Sequence, residues 1–188
     1  MGASNRPVPL RAVHGAVFLL AMLAGSLVAQ SRPEEPALEL GIDAAYRVSI
    51  PDTGDRLSAI EAPLGRIRFG TYLRSTILME LAGGLAYAKE GDRSSSSARA
   101  EVAFSFHVGS DATRTRPYLV AGAGGRWATS DGVTNNQWLA GGGLGLKVPL
   151  GGAVGLRLEA AYARAFETDV LSAAHELSGL LGLSFYTY

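Results

Sequence analysis

The feature that most constrains the fold of this chain is a strict alternation of apolar and polar residues that starts after Pro36. Between positions 38 and 50, the even positions are Leu, Leu, Ile, Ala, Tyr, Val and Ile. The odd positions carry Glu39, Asp43 and Arg47 among small residues. Successive side chains of a β-strand point to opposite faces, so this period predicts a strand with one apolar and one polar face.

The same alternation recurs to the end of the chain. A new run with apolar residues at every second position, here called the apolar parity, begins near each of Ile67, Ile77, Ala98, Leu119, Trp138, Val154 and Leu177. The positions between them are called the polar parity. Polar or Gly-rich stretches separate the segments, at 51–56, 74–76, 89–96, 109–116, 129–136, 149–152 and 167–173. We therefore expect an all-β fold of about eight long strands, the smallest size of outer-membrane barrel.

Residues 1–29 have the layout of a secretory signal peptide. Arg6 and Arg11 form a basic start, an apolar core runs from Ala16 to Ala24, and small residues lead to a cleavage point after Ala29. The core is shorter than the roughly 20 residues of a spanning helix, although an uncleaved anchor is the alternative. We expect a polar lead-in at 30–37 and a barrel at 38–188.

Composition excludes several classes of protein. The chain has no Cys, which removes disulfide frameworks and thiolate metal sites. Its 17 basic residues balance 17 acidic ones, so the basic face of a nucleic-acid-binding protein is not expected. We therefore expect no nucleic acid as a partner.

Alternation alone does not say which face points out of the barrel. A soluble lipocalin-like barrel turns its apolar face inward, whereas a transmembrane barrel turns it toward lipid. The polar parity here is rich in Gly and Ala, which a solvated face does not require. A narrow eight-stranded lumen does need small residues beside large ones. This favours an antiparallel up-and-down transmembrane barrel with the apolar face outward.

The outward aromatic residues sort by height in that arrangement. Tyr87, Trp127, Trp138 and Tyr162 fall toward the outer ends of their strands, and Phe104, Phe106 and Phe185 fall toward the periplasmic ends. Two aromatic girdles around an aliphatic band are typical of membrane barrels.

The inward parity collects charges of both signs. The expected lumen charges are Glu39, Asp43, Arg47, Arg66, Arg68, Glu80, Arg99, Glu101, Arg126, Lys147, Arg157 and Glu159. An unpaired charge in a narrow interior is costly, so each charge should find a partner. Folding the strands about their turns predicts Glu101 opposite Arg126, and Asp43 near Arg68.

The chain resembles the small outer-membrane β-barrel proteins, the eight-stranded family of the OmpA transmembrane domain and OmpX. The resemblance covers roughly Leu38 to Tyr188 and rests on the strand opening at 116–124 and the aromatic ending at 185–188. It implies that the barrel-assembly machinery recognises the last strand. Tyr188 departs from that pattern, because it is out of step with Leu183 and Phe185.

Catalytic, cofactor and metal sites are not expected. His107 and His175 are the histidines outside the signal segment. Lipid A deacylases of this size need a Ser two residues after a His, but here Val108 and Gly109 separate His107 from Ser110. The Gly runs at 122–125 and 141–143 lie in strands with no helix after them, unlike phosphate-binding loops.

Two functions fit this description. The first is a structural or membrane-integrity barrel in the outer membrane of a diderm bacterium, with a lumen that charge pairs fill. The second is a narrow porin or a barrel that binds a small solute. In either case the expected partners are outer-membrane lipid, lipopolysaccharide and the assembly machinery, and the expected state is a monomer.

Overall fold

Eight antiparallel strands form one closed barrel. The computed structural model describes residues 36–52, 57–90, 93–130, 133–151, 153–168 and 171–188. The strands are β1 (Leu38–Pro51), β2 (Leu57–Arg74), β3 (Ile77–Glu90), β4 (Arg93–His107), β5 (Arg116–Ser130), β6 (Val133–Gly151), β7 (Val154–Ala165) and β8 (Ala174–Thr187). Each strand pairs with the next, and β8 pairs with β1. The expected up-and-down barrel is confirmed.

The barrel has two distinct ends. At the terminal end, the start of β1 lies beside the end of β8. The Ala37 amide donates a hydrogen bond to the Thr187 carbonyl there, at 2.7 Å. The opposite end, here called the loop end, carries the connections after β1, β3, β5 and β7. The signal segment and most of the lead-in lie outside the described residues. No helix among the described residues has the length and hydropathy needed to cross a membrane.

The strands at the loop end are longer than the alternation predicts. Residues 89–96 and 129–136 were expected to be separators, but most of them continue β3 to β6 as paired strand. The sequence of these segments is mostly Ser, Thr, Asn and charged residues, so the apolar alternation is lost there while the backbone ladder continues.

The apolar parity faces outward. Leu40, Leu119, Leu144 and Leu181 have exposed side chains, with Leu144 at 63%. Val48 shares the outer face with Leu177, its partner across the β1–β8 pair, because directly opposite residues lie on the same face and Leu177 is half exposed. The Val48 side chain itself is only 6% exposed. This arrangement excludes a lipocalin-like barrel, in which apolar side chains fill the interior.

The polar parity fills the interior. The buried polar side chains include Glu39, Asp43, Arg68, Glu80, Lys147, Arg157, Glu159 and Glu176. Small residues on the same face make room for them: a Cβ at Gly41 would collide with the Arg68 guanidinium, and one at Gly182 with the Asp43 carboxylate. At Gly41 and Gly182, glycine therefore leaves room for a lumen charge and is not required by a turn.

Candidate functional site: the charged lumen

The lumen charges form two clusters at different heights. The terminal-side cluster comprises Glu39, Asp43, Arg68, Glu80, Lys147, Arg157 and Glu159. The loop-side cluster comprises Arg47, Arg66, Arg99, Glu101, Arg126 and Glu176. Together they contain all the charges expected from the inward parity, and one more, Glu176.

Arg68 is the centre of the terminal-side cluster. Its Nε donates to Asp43 Oδ2 at 2.7 Å, and its Nη1 donates to Glu80 Oε1 at 2.9 Å and Glu39 Oε1 at 3.1 Å. Arg68 thus joins β2 to β1 and to β3, and it lies near Asp43 as the sequence predicts. A guanidinium suits this role because its planar fork donates in several fixed directions.

Contacts across the barrel complete this cluster. Glu80 on β3 accepts from Arg157 on β7, with Nη2 and Oε2 3.2 Å apart. Lys147 Nζ on β6 donates to Glu39 Oε2 on β1 at 2.5 Å. In a ring of eight strands, β3 and β7 are diametrically opposite, so these side chains meet at the barrel axis.

The hydroxyl groups of the interior donate further hydrogen bonds to carboxylate oxygens that already accept from Arg68 or Arg157. Ser105 donates to Glu80 Oε2 at 2.7 Å, and Ser184 donates to Glu39 Oε1 at 2.6 Å. Tyr118 donates to Glu159 Oε2 at 2.7 Å. A buried carboxylate that accepts several hydrogen bonds is far less costly than an isolated one, so these partners stabilise the cluster.

Glu176 organises the loop-side cluster. Its carboxylate accepts from Arg99 Nη1 at 2.9 Å and from Arg126, and it lies 3.8 Å from Arg47 Nε. Arg99 on β4 and Glu176 on β8 are also on diametrically opposite strands. Glu176 shares the parity of Ser178, Gly182 and Ser184, so the alternation carried the signal that assigns it to the lumen.

The predicted pairing of Glu101 with Arg126 is wrong. In the β4–β5 register, Arg99 lies opposite Arg126, and Glu101 lies opposite Gly124. Glu101 instead pairs with Arg66 at 2.8 Å and with Arg99, whereas Arg126 pairs with Glu176 and Gln137. The register differs from the predicted one by two residues, a shift that keeps every side chain on its face but changes its neighbour.

A small cavity is lined by residues of both clusters. Its volume is about 70 Å³, and its lining includes Arg66, Arg99 and Glu101 of the loop-side cluster and Glu159 of the terminal-side cluster. This is room for only a few water molecules. The Arg66 Nε atom is buried without a hydrogen-bond partner among the described residues.

The expected girdle residues whose side chains the structure describes lie on the outer face near the two ends. Trp138 and Tyr162 are exposed toward the loop end, and Trp127 is half-buried beside them. Phe104, Phe106 and Phe185 are exposed toward the terminal end. The side chain of Tyr87 lies outside the described residues. Tyr46, halfway along β1, is an exposed aromatic residue that belongs to neither group.

The two barrel histidines have different surroundings. His107 is buried between the rings of Tyr72 and Tyr118, with centroids 5.9 and 5.4 Å away. His175 lies at the loop end, where its Nδ1 is 2.8 Å from the Tyr162 hydroxyl and its Nε2 is 3.6 Å from Asp52 Oδ1. No group of three or more His, Asp or Glu side chains in the described part of the chain is arranged to hold a metal ion.

Solved structures with this architecture are small outer-membrane barrels. Neisserial surface protein A has a TM-score of 0.65 at 13% identity, with 80% of this chain and 97% of that chain covered. The N-terminal barrel of Pseudomonas aeruginosa OprF gives 0.52 at 17% identity, covering 79% and 97%. Ail of Yersinia pestis gives 0.50 at 13% identity, covering 81% and 99%.

The likeness to these barrels is one of structure and not of sequence. No family model matches the chain, and no curated protein matches it. At these identities the similarity is one of fold, and it confirms the fold that the resemblance implies. The chain therefore has the eight-stranded closed barrel fold of the small outer-membrane proteins, with a charged interior and an apolar exterior.

Proposed function

We propose that this chain is an outer-membrane β-barrel protein with a structural, membrane-integrity role, and that its lumen does not conduct. The observation that carries the proposal is the contact between Glu80 and Arg157 at the barrel axis. Side chains that meet from opposite strands leave no continuous path between them. A porin of this size needs the opposite, an open polar channel.

The exterior supports the membrane part of the proposal. A soluble monomer rarely exposes a contiguous apolar patch of more than a few hundred Å². Here the exposed apolar side chains occur on all the strands whose outer faces the structure describes, from Leu40 on β1 to Phe185 on β8. Lipid covers such a surface without cost, and transmembrane strands need only about 9–11 residues to cross.

The same proposal gives the orientation of the barrel in the membrane and the route of its assembly. We place the terminal end at the periplasm, because the resemblance to the small outer-membrane barrels implies that the assembly machinery recognises the aromatic end of β8 from that side. Outer-membrane lipid and lipopolysaccharide would then surround the apolar band, and the protein would act as a monomer. The proposal assigns no reaction to the protein, since His175 contacts Tyr162 and Asp52 rather than a serine nucleophile.

A deletion strain tests the structural role. Cells that lack the protein should become more sensitive to detergents and to hydrophobic dyes, while the uptake of small hydrophilic solutes should not change. The wild-type gene should restore resistance. Unchanged detergent sensitivity together with slower solute uptake would contradict the structural role and favour the porin alternative.

A further inference from the structure

Two buried cations face each other at the terminal end of the lumen. Arg116 on β5 lies directly opposite Lys147 on β6, and the two residues are 3% and 2% exposed. Like charges directly opposite each other in an antiparallel pair are destabilising. The pair therefore needs negative charge close to both members.

Lys147 has its counter-charge in Glu39, at 2.5 Å. Arg116 does not, because no carboxylate of the described residues lies within 4.0 Å of its guanidinium. Its Nη2 donates to the Tyr72 hydroxyl at 3.2 Å, and its Nη1 reaches the Ser75 carbonyl at 3.4 Å. Arg116 is thus linked to Glu39 only through the Tyr72 hydroxyl, which is 3.2 Å from Glu39 Oε2.

His107 provides an independent observation at the same place. It is 6% exposed, and within the described residues neither of its ring nitrogens has a hydrogen-bond partner. The ring of Tyr72 packs against His107 on one side, and the Arg116 guanidinium lies over that same ring at 5.9 Å from its centroid. A buried donor or acceptor left unsatisfied costs free energy, so a binding partner for His107 is favoured.

We propose that Arg116 and His107 form a binding site for a small oxyanion, a carboxylate or a phosphate group, that enters from solvent at the terminal end. The planar guanidinium matches two oxygens of such a group, and an imidazole N–H is a further donor. Tyr72 holds both residues in place. The charge clusters above this site block the lumen, so the barrel binds the anion without transporting it.

The site selects by shape as well as by charge. A bidentate pair with arginine needs two oxygens at a fixed separation, which carboxylate and phosphate have and chloride lacks. Because both residues lie inside the ring of strands, the group must be small. Inorganic phosphate and acetate are therefore the probes, and chloride is the matched spherical anion.

Nitrogen-15 NMR of the histidine ring tests the site directly. The mature barrel with His175→Gln, refolded in micelles, retains His107 as its barrel histidine. We expect saturable shifts of its ring signals with sodium phosphate or sodium acetate and none with sodium chloride. Arg116→Gln should weaken binding at least about tenfold, since it removes a charge-assisted pair. Arg114→Gln, at an arginine that is 83% exposed at the same end, should leave binding unchanged.

Two outcomes would overturn the proposal. The first is the absence of a saturable shift with either oxyanion, and the second is an equal response in the Arg116→Gln barrel. If Arg116→Gln does not fold, Arg116→Lys keeps the charge but not the fork, and it should also bind more weakly. Unfolding is a second readout. Because phosphate also stabilises folded proteins without a specific site, its binding must raise the unfolding midpoint of the unmodified barrel more than that of the Arg116→Lys barrel.

Discussion

Glu80 and Arg157 lie on strands that stand on opposite sides of the barrel, yet their side chains form a salt bridge at its axis. Arg68 and Ser105 hold the Glu80 carboxylate from one side, and Glu159 holds Arg157 from the other. The interior is therefore cross-linked by charge rather than filled by an apolar core. An inside-out arrangement of this kind suits a protein whose outer surface faces lipid.

Glu80→Gln should destabilise the barrel by about 3 kcal/mol, because the Glu80 carboxylate pairs with both Arg68 and Arg157 and its removal breaks two buried ion pairs at once. The free energy of unfolding in urea, measured on the refolded barrel in lipid vesicles, gives this value. Asp111→Asn is the control, since the Asp111–Arg114 pair is exposed, is screened by solvent and should contribute little to stability. Equal losses in the two variants would refute the central role of Glu80.

Leu144→Arg should make the free energy of folding into the bilayer less favourable by about 2–4 kcal/mol, because it places a charge on the apolar outer face. Thr134 lies on the same strand and shares the parity of Leu144, but it is beyond the apolar band. Thr134→Arg should cost no more than about 1 kcal/mol. The yield of folded protein, read from the shift between heated and unheated samples on a gel, compares them. Equal yields would count against an outer face that contacts lipid.

A double-mutant cycle tests the corrected β4–β5 register. Glu101 contacts Arg66 and Arg99, and Arg126 contacts Glu176. Glu101→Gln and Arg66→Gln should therefore show a coupling of about 1 kcal/mol or more. Glu101→Gln and Arg126→Gln should couple by clearly less. The register described here fails if the second pair couples more strongly than the first.

Asp52 makes stability depend on pH at the loop end. Arg164 donates to both carboxylate oxygens, at 2.8 and 2.5 Å, and these hydrogen bonds hold the pKa of Asp52 below its ordinary value of 3.8. A depressed pKa in the folded state contributes stability above the unfolded pKa, and this stability is lost as pH falls through the folded value.

Asp52→Asn should therefore be less stable than the unmodified barrel at about pH 5, and the difference should shrink as pH falls toward about 2. The midpoint of urea unfolding at several pH values measures it. A difference that stays constant across this range would show that the Arg164 contact does not depend on the Asp52 charge.

The sequence predicts the strands and their faces because a period of two is a local property. The alternation predicts the outward side chains of Leu40, Ile67 and Leu144 without any information about the neighbouring strands. It predicts the inward side chains of Glu39, Arg68 and Lys147 in the same way. Which charges meet is not local. The turn between β4 and β5 sets the register of these two strands. Because that register differs by two residues from the predicted one, Arg126 pairs with Glu176 instead of Glu101.

Contacts across the lumen were beyond the reach of the sequence for a different reason. Glu80 and Arg157 are not neighbours in any strand pair, so no register argument brings them together. Only closure of the ring, with β8 against β1, fixes which strands lie opposite each other. The same closure brings Arg116 on β5 within hydrogen-bond distance of Tyr72 on β2, three strands away.

Single-channel recording tests the closed lumen most directly. The mature barrel is refolded and inserted into planar lipid bilayers, and current is recorded over a range of voltages. If Glu80, Arg157 and their partners block the axis, the unmodified protein should show no resolvable current steps, while Glu80→Ala should show them. Steady single-channel steps from the unmodified barrel would contradict the closed lumen and establish a pore.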